Sequence, residues 1–245
     1  MKTGEIIEKY IVENGCFERA KNQRIYNKFF KHGSRYVFKT AWKKYDLASK
    51  TLCDIGCAYG VNLLNTKEGS YGIDINTNFV NFANSIGLNV IKRNIVSDDI
   101  SDLKRVDVLW QSAILEHIDS PHIFLRKCWN MIDDGGIMIM YVPIMPMFKW
   151  MRFLPILGKF FASYKHEDHV NFFTKETVKF QCERAGFETI ENNPWYPGFL
   201  RIFDYFNFIS STVYVGRKNS NWEYPSNCER LKADNKDGYI YKRYF

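Results

Sequence analysis

Short apolar runs recur along this chain, each bounded by glycine or polar residues. They are Thr51 to Ile55, Tyr71 to Ile75, Asn89 to Arg93, Val106 to Gln111, Ile137 to Val142, Phe187 to Glu191 and Ser211 to Gly216. Runs this short read as strands, and the more uniformly apolar ones as buried strands. Helical patterns lie between them, so the order predicts an α/β fold built on a mostly parallel sheet. Thr174 has a hydroxyl suited to capping the helix that Glu176 and Thr177 open, and Gly186 ends that helix. Ahead of the first run, Thr3 caps a predicted helix from Gly4 to Glu13, which Asn14 and Gly15 terminate.

The stretch with the clearest chemistry is TLCDIGCAYG, Thr51 to Gly60. Its first half is a strand and its second half a tight turn. Gly56 and Gly60 allow backbone angles that a side chain forbids and let the main chain approach a ligand. Val61 to Asn65 reads as the start of a helix, so the turn is expected to join a strand to a helix N-terminus. In a doubly wound sheet, ligands sit at such a crevice. A dinucleotide fingerprint would need glycine at the third and sixth positions of the turn, where Ala58 and Val61 stand. Asp74, at the end of the second strand, falls near the offset at which a carboxylate meets a ribose hydroxyl.

The motif Asp54-Ile55-Gly56-Cys57-Ala58-Tyr59-Gly60 resembles the glycine-rich loop of class I S-adenosylmethionine-dependent methyltransferases. Ser112-Ala113-Ile114-Leu115-Glu116-His117 is similar to that family's segment after the fourth strand. The stretch from His169 to Thr174 and the later Ala185-Gly186-Phe187 resemble its returning segment. The resemblance runs from about Tyr36 to Lys218. It implies a doubly wound, seven-stranded Rossmann-like sheet with an antiparallel last strand and S-adenosylmethionine as cofactor. It also implies a cofactor site at Asp54, Gly56, Cys57, Ala58, Gly60, Asp74, Ile75, Asn94, Ile95, Gln111 and Ser112, with Asn94 and Ile95 beside the adenine. The expected organisation is an N-terminal helical cap over 1–48, a core over 49–218 with a lid insertion at about 144–168, and a weakly ordered tail over 219–245.

Methyl transfer is an in-line displacement in which positioning supplies much of the rate. An alcohol acceptor also needs a base. His117 follows the fourth strand on the cofactor side, and His169 begins the segment that returns across the mouth. These two are the candidates for base or acceptor positioning. His166 and His169 flank Glu167 and Asp168, but no third ligand stands at a diagnostic spacing, so a loop of polar residues is expected there. Near Glu116 and His117 the chain looks like the ubiquinone-biosynthesis O-methyltransferases. In that group a carboxylate three residues before the glutamate helps to bind a divalent ion, and here that position is Ala113. No metal is expected.

Charge and composition narrow the acceptor. The net charge is +7. From Arg19 to Lys50 there are ten Lys and Arg residues and one acid, Asp46, with seven aromatics interleaved. This is either an electropositive surface for an anionic acceptor, nucleic acid or membrane, or a pair of amphipathic helices with solvated lysines and core aromatics. From Gly135 to His166 there is no acid, and Met145 to Phe161 is rich in Met, Phe, Trp and Leu. A substrate lid, a membrane-interface segment and a packed hairpin all fit that stretch. The six cysteines form no Cys-x-x-Cys pair and read as reduced thiols. No secretory signal or spanning segment is apparent, so a cytoplasmic protein is expected, and the membrane-interface reading of Met145 to Phe161 leaves peripheral contact with the inner face of a membrane as an alternative. These features point to O-methylation of a bulky glycan or lipid-linked intermediate. RNA methylation and a non-catalytic binding protein of the same fold stand as alternatives. The oligomeric state is not legible.

Overall fold

The computed structural model describes residues 5–7, 36–145, 153, 167–195 and 211–223. Most of the expected lid, the aromatic stretch beyond 195 and the tail beyond 223 lie outside the described residues, as does most of the predicted first helix. Seven strands form one sheet: β1 Leu52–Ile55, β2 Tyr71–Asp74, β3 Val90–Lys92, β4 Val106–Ser112, β5 Ile132–Pro143, β6 Phe187–Asn193 and β7 Ser211–Lys218. Their order is β3-β2-β1-β4-β5-β7-β6. Neighbours are parallel from β3 to β5, while β7 runs antiparallel to both β5 and β6.

Helices cover both faces. Residues 36–44 form α1, and α2 is Thr77–Ser85, α3 Pro121–Asn130 and α4 Lys175–Arg184. One apolar cluster joins α1 and α2 to the sheet through Val37, Phe38, Ala41, Val80, Ala83, Trp110 and Ile139. The other joins α3 and α4 through Phe124, Leu125, Cys128, Val178, Cys182, Leu109 and Met138. Leu109 and Trp110 are adjacent in β4 yet serve opposite clusters, which is the two-residue period of a strand buried on both sides. Thr174 caps α4 as expected, with its hydroxyl accepting from Thr177 N and the Thr177 hydroxyl accepting from Thr174 N.

The described half of the basic window forms a helix of the kind expected there. Along α1, Val37, Phe38 and Ala41 face the core, and Lys39, Lys43 and Lys44 are exposed. Phe38 meets the Trp110 ring edge-on at 5.0 Å. Lys44 and the Tyr45 hydroxyl both bond the Glu191 carboxylate of β6, which fastens the end of α1 to the sheet. This is an amphipathic helix with solvated lysines and buried aromatics.

Two expectations need correction. The turn after β1 does not open an α-helix at Val61 to Asn65: only a 3-10 turn, Val61–Leu63, forms there. Leu64 is extended and Asn65 is left-handed at φ 65°, so the helical path ends after one turn. β5 starts at Ile132, and Gly135 and Gly136 lie inside it rather than before it. Ile132 pairs with Val106 and Ile137 with Val108, so residues 133–136 bulge opposite Asp107. A Cβ on Gly136 would stand 2.7 Å from the Asp107 carbonyl oxygen, so only glycine lets the bulge lie that close.

Candidate active site

The sheet reverses its order between β1 and β4, and the carboxyl ends of these two strands frame a crevice. The turn Gly56 to Gly60 lies on it. Gly56 and Gly60 are left-handed at φ 70° and 74°. The spaces beside them face protein: a Cβ on Gly56 would meet Ile114 Cδ1 at 2.2 Å, and one on Gly60 would meet Leu88 Cδ1 at 2.7 Å. Backbone shape and internal packing therefore already require both glycines. Ala58 is also left-handed, at φ 47°. That is the conformation glycine adopts without strain, so Ala58 carries a backbone cost that glycine would not.

The N–H groups of this turn are largely spent inside the protein. Gly56 N and Cys57 N donate to Ile73 O, Gly60 N to Cys57 O, and Ala58 N to Asp74 Oδ2 at 2.8 Å. A pyrophosphate needs free N–H groups at a helix N-terminus. Here four of the turn's N–H groups are bonded within the protein and no α-helix follows, which does not favour a pyrophosphate. Two carboxylates stand by it. Asp54 is 2% exposed, and its carboxyl is pushed up to about 7 by burial, opposed by the Asn62 amide bond and helped by the Asp74 charge. Asp74 accepts from Asn76 N as well as Ala58 N, so it ties the turn to the start of α2.

Further along the crevice, Ile75 is 68% exposed, an unusual position for a large apolar side chain beside the site. With Lys92, Arg93, Asn94 and Asp98 it lines a shallow cleft of about 290 Å³. Asn94 Oδ1 accepts from Val96 N, and Asn94 N donates to Asp98 Oδ2. Ile95 is buried and joins the core beneath the cleft. Cys57 is also turned inward, against Gly72. Gln111 is fully buried at the end of β4, and neither its Oε1 nor its Nε2 has a hydrogen-bond partner among the described residues. A buried amide in that state is costly unless a ligand completes it. Ser112 follows it at the rim, half-buried.

The chain then turns through left-handed Ala113, whose N–H donates to Tyr141 O, into a 3-10 turn, Leu115–His117. Glu116 is 1% exposed, and burial pushes its carboxyl up to about 8. His117 Nε2 lies 3.8 Å and His169 Nε2 3.9 Å from Glu116 Oε1. The two imidazoles meet edge to face, 4.8 Å between centroids. Val170 N and Asn171 N both donate to Glu116 O, and Asn171 Nδ2 donates to Ile118 O. Those bonds hold the His169 segment against the Glu116 turn. His117 Nδ1 lies 2.9 Å from Asp168 O, and since a carbonyl can only accept, Nδ1 carries the proton. Nε2 of neutral His117 therefore presents a lone pair.

Sequence reasoning thus placed the two histidines without placing what joins them. In the sequence Glu116 stands out only as part of a motif. Its signal was an acid set among Ile114, Leu115 and Ile118 at the end of a buried strand. Asn62 and Asp98 were missed as well, because both act through contacts that only the folded turns create. His166 lies outside the described residues.

A family model described as a methyltransferase domain matches residues 24–192. Among solved structures, an S-adenosylmethionine-dependent methyltransferase from Clostridium acetobutylicum aligns with a TM-score of 0.58 at 12% identity, covering 80% of this chain and 97% of that one. One from Archaeoglobus fulgidus aligns at 0.54 and 19% identity, covering 81% and 100%. At these identities the likeness is one of fold. A ubiquinone biosynthesis O-methyltransferase from Glaesserella parasuis is 27% identical over 106 residues, 38% of this chain and 44% of the relative, so the match spans less than half of that protein.

Proposed function

This chain belongs to the methyltransferase domain family and is an S-adenosylmethionine-dependent methyltransferase, and from that premise we propose that it methylates a hydroxyl group on a glycan or a lipid-linked intermediate. The cofactor supplies an electrophilic methyl group on a sulfonium. Gly56 to Gly60 shape the wall for its amino-acid end, with Asp54 as the nearby carboxylate. Asp74 takes the ribose hydroxyls on lone pairs that its two backbone N–H partners leave over. Ile75 and Asn94 flank the base, and the Gln111 amide gains the partner it lacks.

The observation that carries the choice of a hydroxyl is the place of His117, with Nε2 beside the buried Glu116 carboxyl and Nδ1 against the Asp168 carbonyl. An alcohol must lose its proton as it attacks, and this group of side chains can receive one. The Ile114 side chain, packed against Gly56, links that turn directly to the cofactor turn, so acceptor and cofactor ends share one rigid wall. Such positioning holds reacting atoms near ~3–3.5 Å. Support for a bulky acceptor comes from the sequence: the acid-free, aromatic stretch from Met145 to Phe161 stands between β5 and the His169 segment.

The test is methyl transfer from labelled cofactor to three acceptor fractions: lipid-linked sugars, free oligosaccharides and bulk RNA. Label enters one of the first two, and His117→Ala slows that transfer by roughly 10²-fold or more, the usual scale for losing a general base. Label confined to RNA would overturn the proposal in favour of RNA methylation.

A further inference from the structure

We propose that Glu116, His117 and His169 together bind a divalent cation of the zinc class, leaving one coordination position open for the acceptor oxygen. The proposal rests on the reading of this site as the acceptor end of a methyltransferase. It differs from the arrangement implied by the ubiquinone-type resemblance, which needs a carboxylate where Ala113 stands. Here the third donor comes from the other side of the mouth, 53 residues further along the chain than Glu116.

Geometry supplies the first argument. One ligand atom from each residue lies within 4.8 Å of the others. A tetrahedral ion bound at ~2.0–2.1 Å would draw such atoms to roughly 3.4 Å apart. Rotation of His117, which is 39% exposed, accommodates that change. Two imidazoles and one carboxylate form a donor set found in catalytic zinc sites, which keep a position open for water or substrate.

Glu116 supplies the second, independent argument. Its side chain is 1% exposed, and neither carboxylate oxygen has a hydrogen-bond partner among the described residues. A buried carboxyl in that state meets the cost of lost hydration either by keeping its proton or by facing a cation, and the two neighbouring imidazoles make the second available here. Oε1 faces both Nε2 atoms, and a neutral His117, its proton on the Nδ1 that faces the Asp168 carbonyl, turns an Nε2 lone pair toward it. Two lone-pair donors directed at one another are complementary to an ion placed between them. The surrounding contacts fit the same reading. His117 donates its other ring N–H to the Asp168 carbonyl, the outer-shell bond that orients metal-ligating imidazoles. The pair of backbone bonds from Val170 and Asn171 to Glu116 O fixes the His169 segment before any ion arrives. With the acceptor's hydroxyl on the open position, the ion would favour its alkoxide form, as it favours hydroxide over water; His117 would then serve as a ligand rather than as the base, and the hydroxyl proton would pass to solvent.

The test titrates Zn²⁺ and Co²⁺ into the metal-stripped full chain, read by calorimetry and by the visible absorption of bound cobalt. One equivalent binds with the spectrum of a four-coordinate nitrogen and oxygen site. Glu116→Gln and His169→Ala each weaken binding at least tenfold, while thermal melts confirm that both variants fold. If a variant fails to fold, His117→Ala, at the exposed position, gives the same reading. Absence of saturable binding in the wild type, or binding unaffected by these substitutions, overturns the proposal and leaves only a shared proton in the cluster. Undiminished methyl transfer by the metal-free protein overturns it too, yet leaves the methyltransferase reading standing. Metal binding with the predicted spectrum upholds it even if every tested acceptor fails.

Discussion

Asp74 Oδ2 accepts the N–H of Ala58 at 2.8 Å, so the carboxylate expected at the ribose also holds Ala58, the non-glycine residue of the cofactor turn that is left-handed, in that conformation. For an L-residue that conformation costs roughly 1–2 kcal/mol. Ala58→Gly removes the strain, against the extra freedom that glycine gives the unfolded chain. The variant is expected to be more stable by about 0.5–1 kcal/mol, with unchanged cofactor affinity. Denaturant titration checks the first and calorimetry the second; a lower midpoint would show that Ala58 is not strained.

Gly56 stands in the opposite situation. A methyl group there meets both a positive φ and the Ile114 side chain at 2.2 Å. Gly56→Ala therefore loses stability and cofactor affinity together. Adding Ile114→Ala opens the space but leaves the backbone strain, so part of the loss returns and part remains. Melting temperatures of the single and double variants separate the two causes. Full recovery would mean that crowding alone matters.

These two residues mark how far the sequence could be read. The strands were legible because they are short, apolar and buried on both faces, and Asp74 because it closes one of them. The glycine pattern indicated the turn, but the turn's own bonding was invisible. Nothing in Val61 to Asn65 signals that the chain leaves the helical path after one 3-10 turn. Gly135 and Gly136 read in the sequence as a boundary before Ile137, because a bulge inside a strand and a turn before one use the same residues. The convergence of Glu116, His117 and His169 was hidden for a different reason. It depends on Val170 and Asn171 bonding across the mouth to Glu116 O, a long-range contact with no periodic signature.

Asp54 gives a pH prediction. Its carboxyl is held near 7 in the fold against an ordinary value of 3.8. Between those values the folded protein keeps a proton that the unfolded chain releases, so stability falls as pH rises through this window. The contribution is fully present below about pH 4 and lost above about 7. Asp54→Asn flattens that part of the stability profile, measured by denaturant midpoints of the apoprotein from pH 5 to 8. An unchanged slope would mean that Asp54 titrates as an ordinary surface carboxylate.

Calorimetry of the full chain with S-adenosylhomocysteine, run beside NAD and repeated on Asp74→Asn, tests most directly whether the β1 turn is the cofactor site. The demethylated cofactor is expected to bind at one site. Asp74→Asn should weaken it by at least tenfold, the scale of a lost charge-assisted hydrogen bond of ~1.5–3 kcal/mol. NAD should not bind, because four of the turn's N–H groups are bonded within the protein and no α-helix N-terminus follows to hold its pyrophosphate. Saturable NAD binding, or S-adenosylhomocysteine binding that is indifferent to Asp74 in a folded variant, would contradict the account.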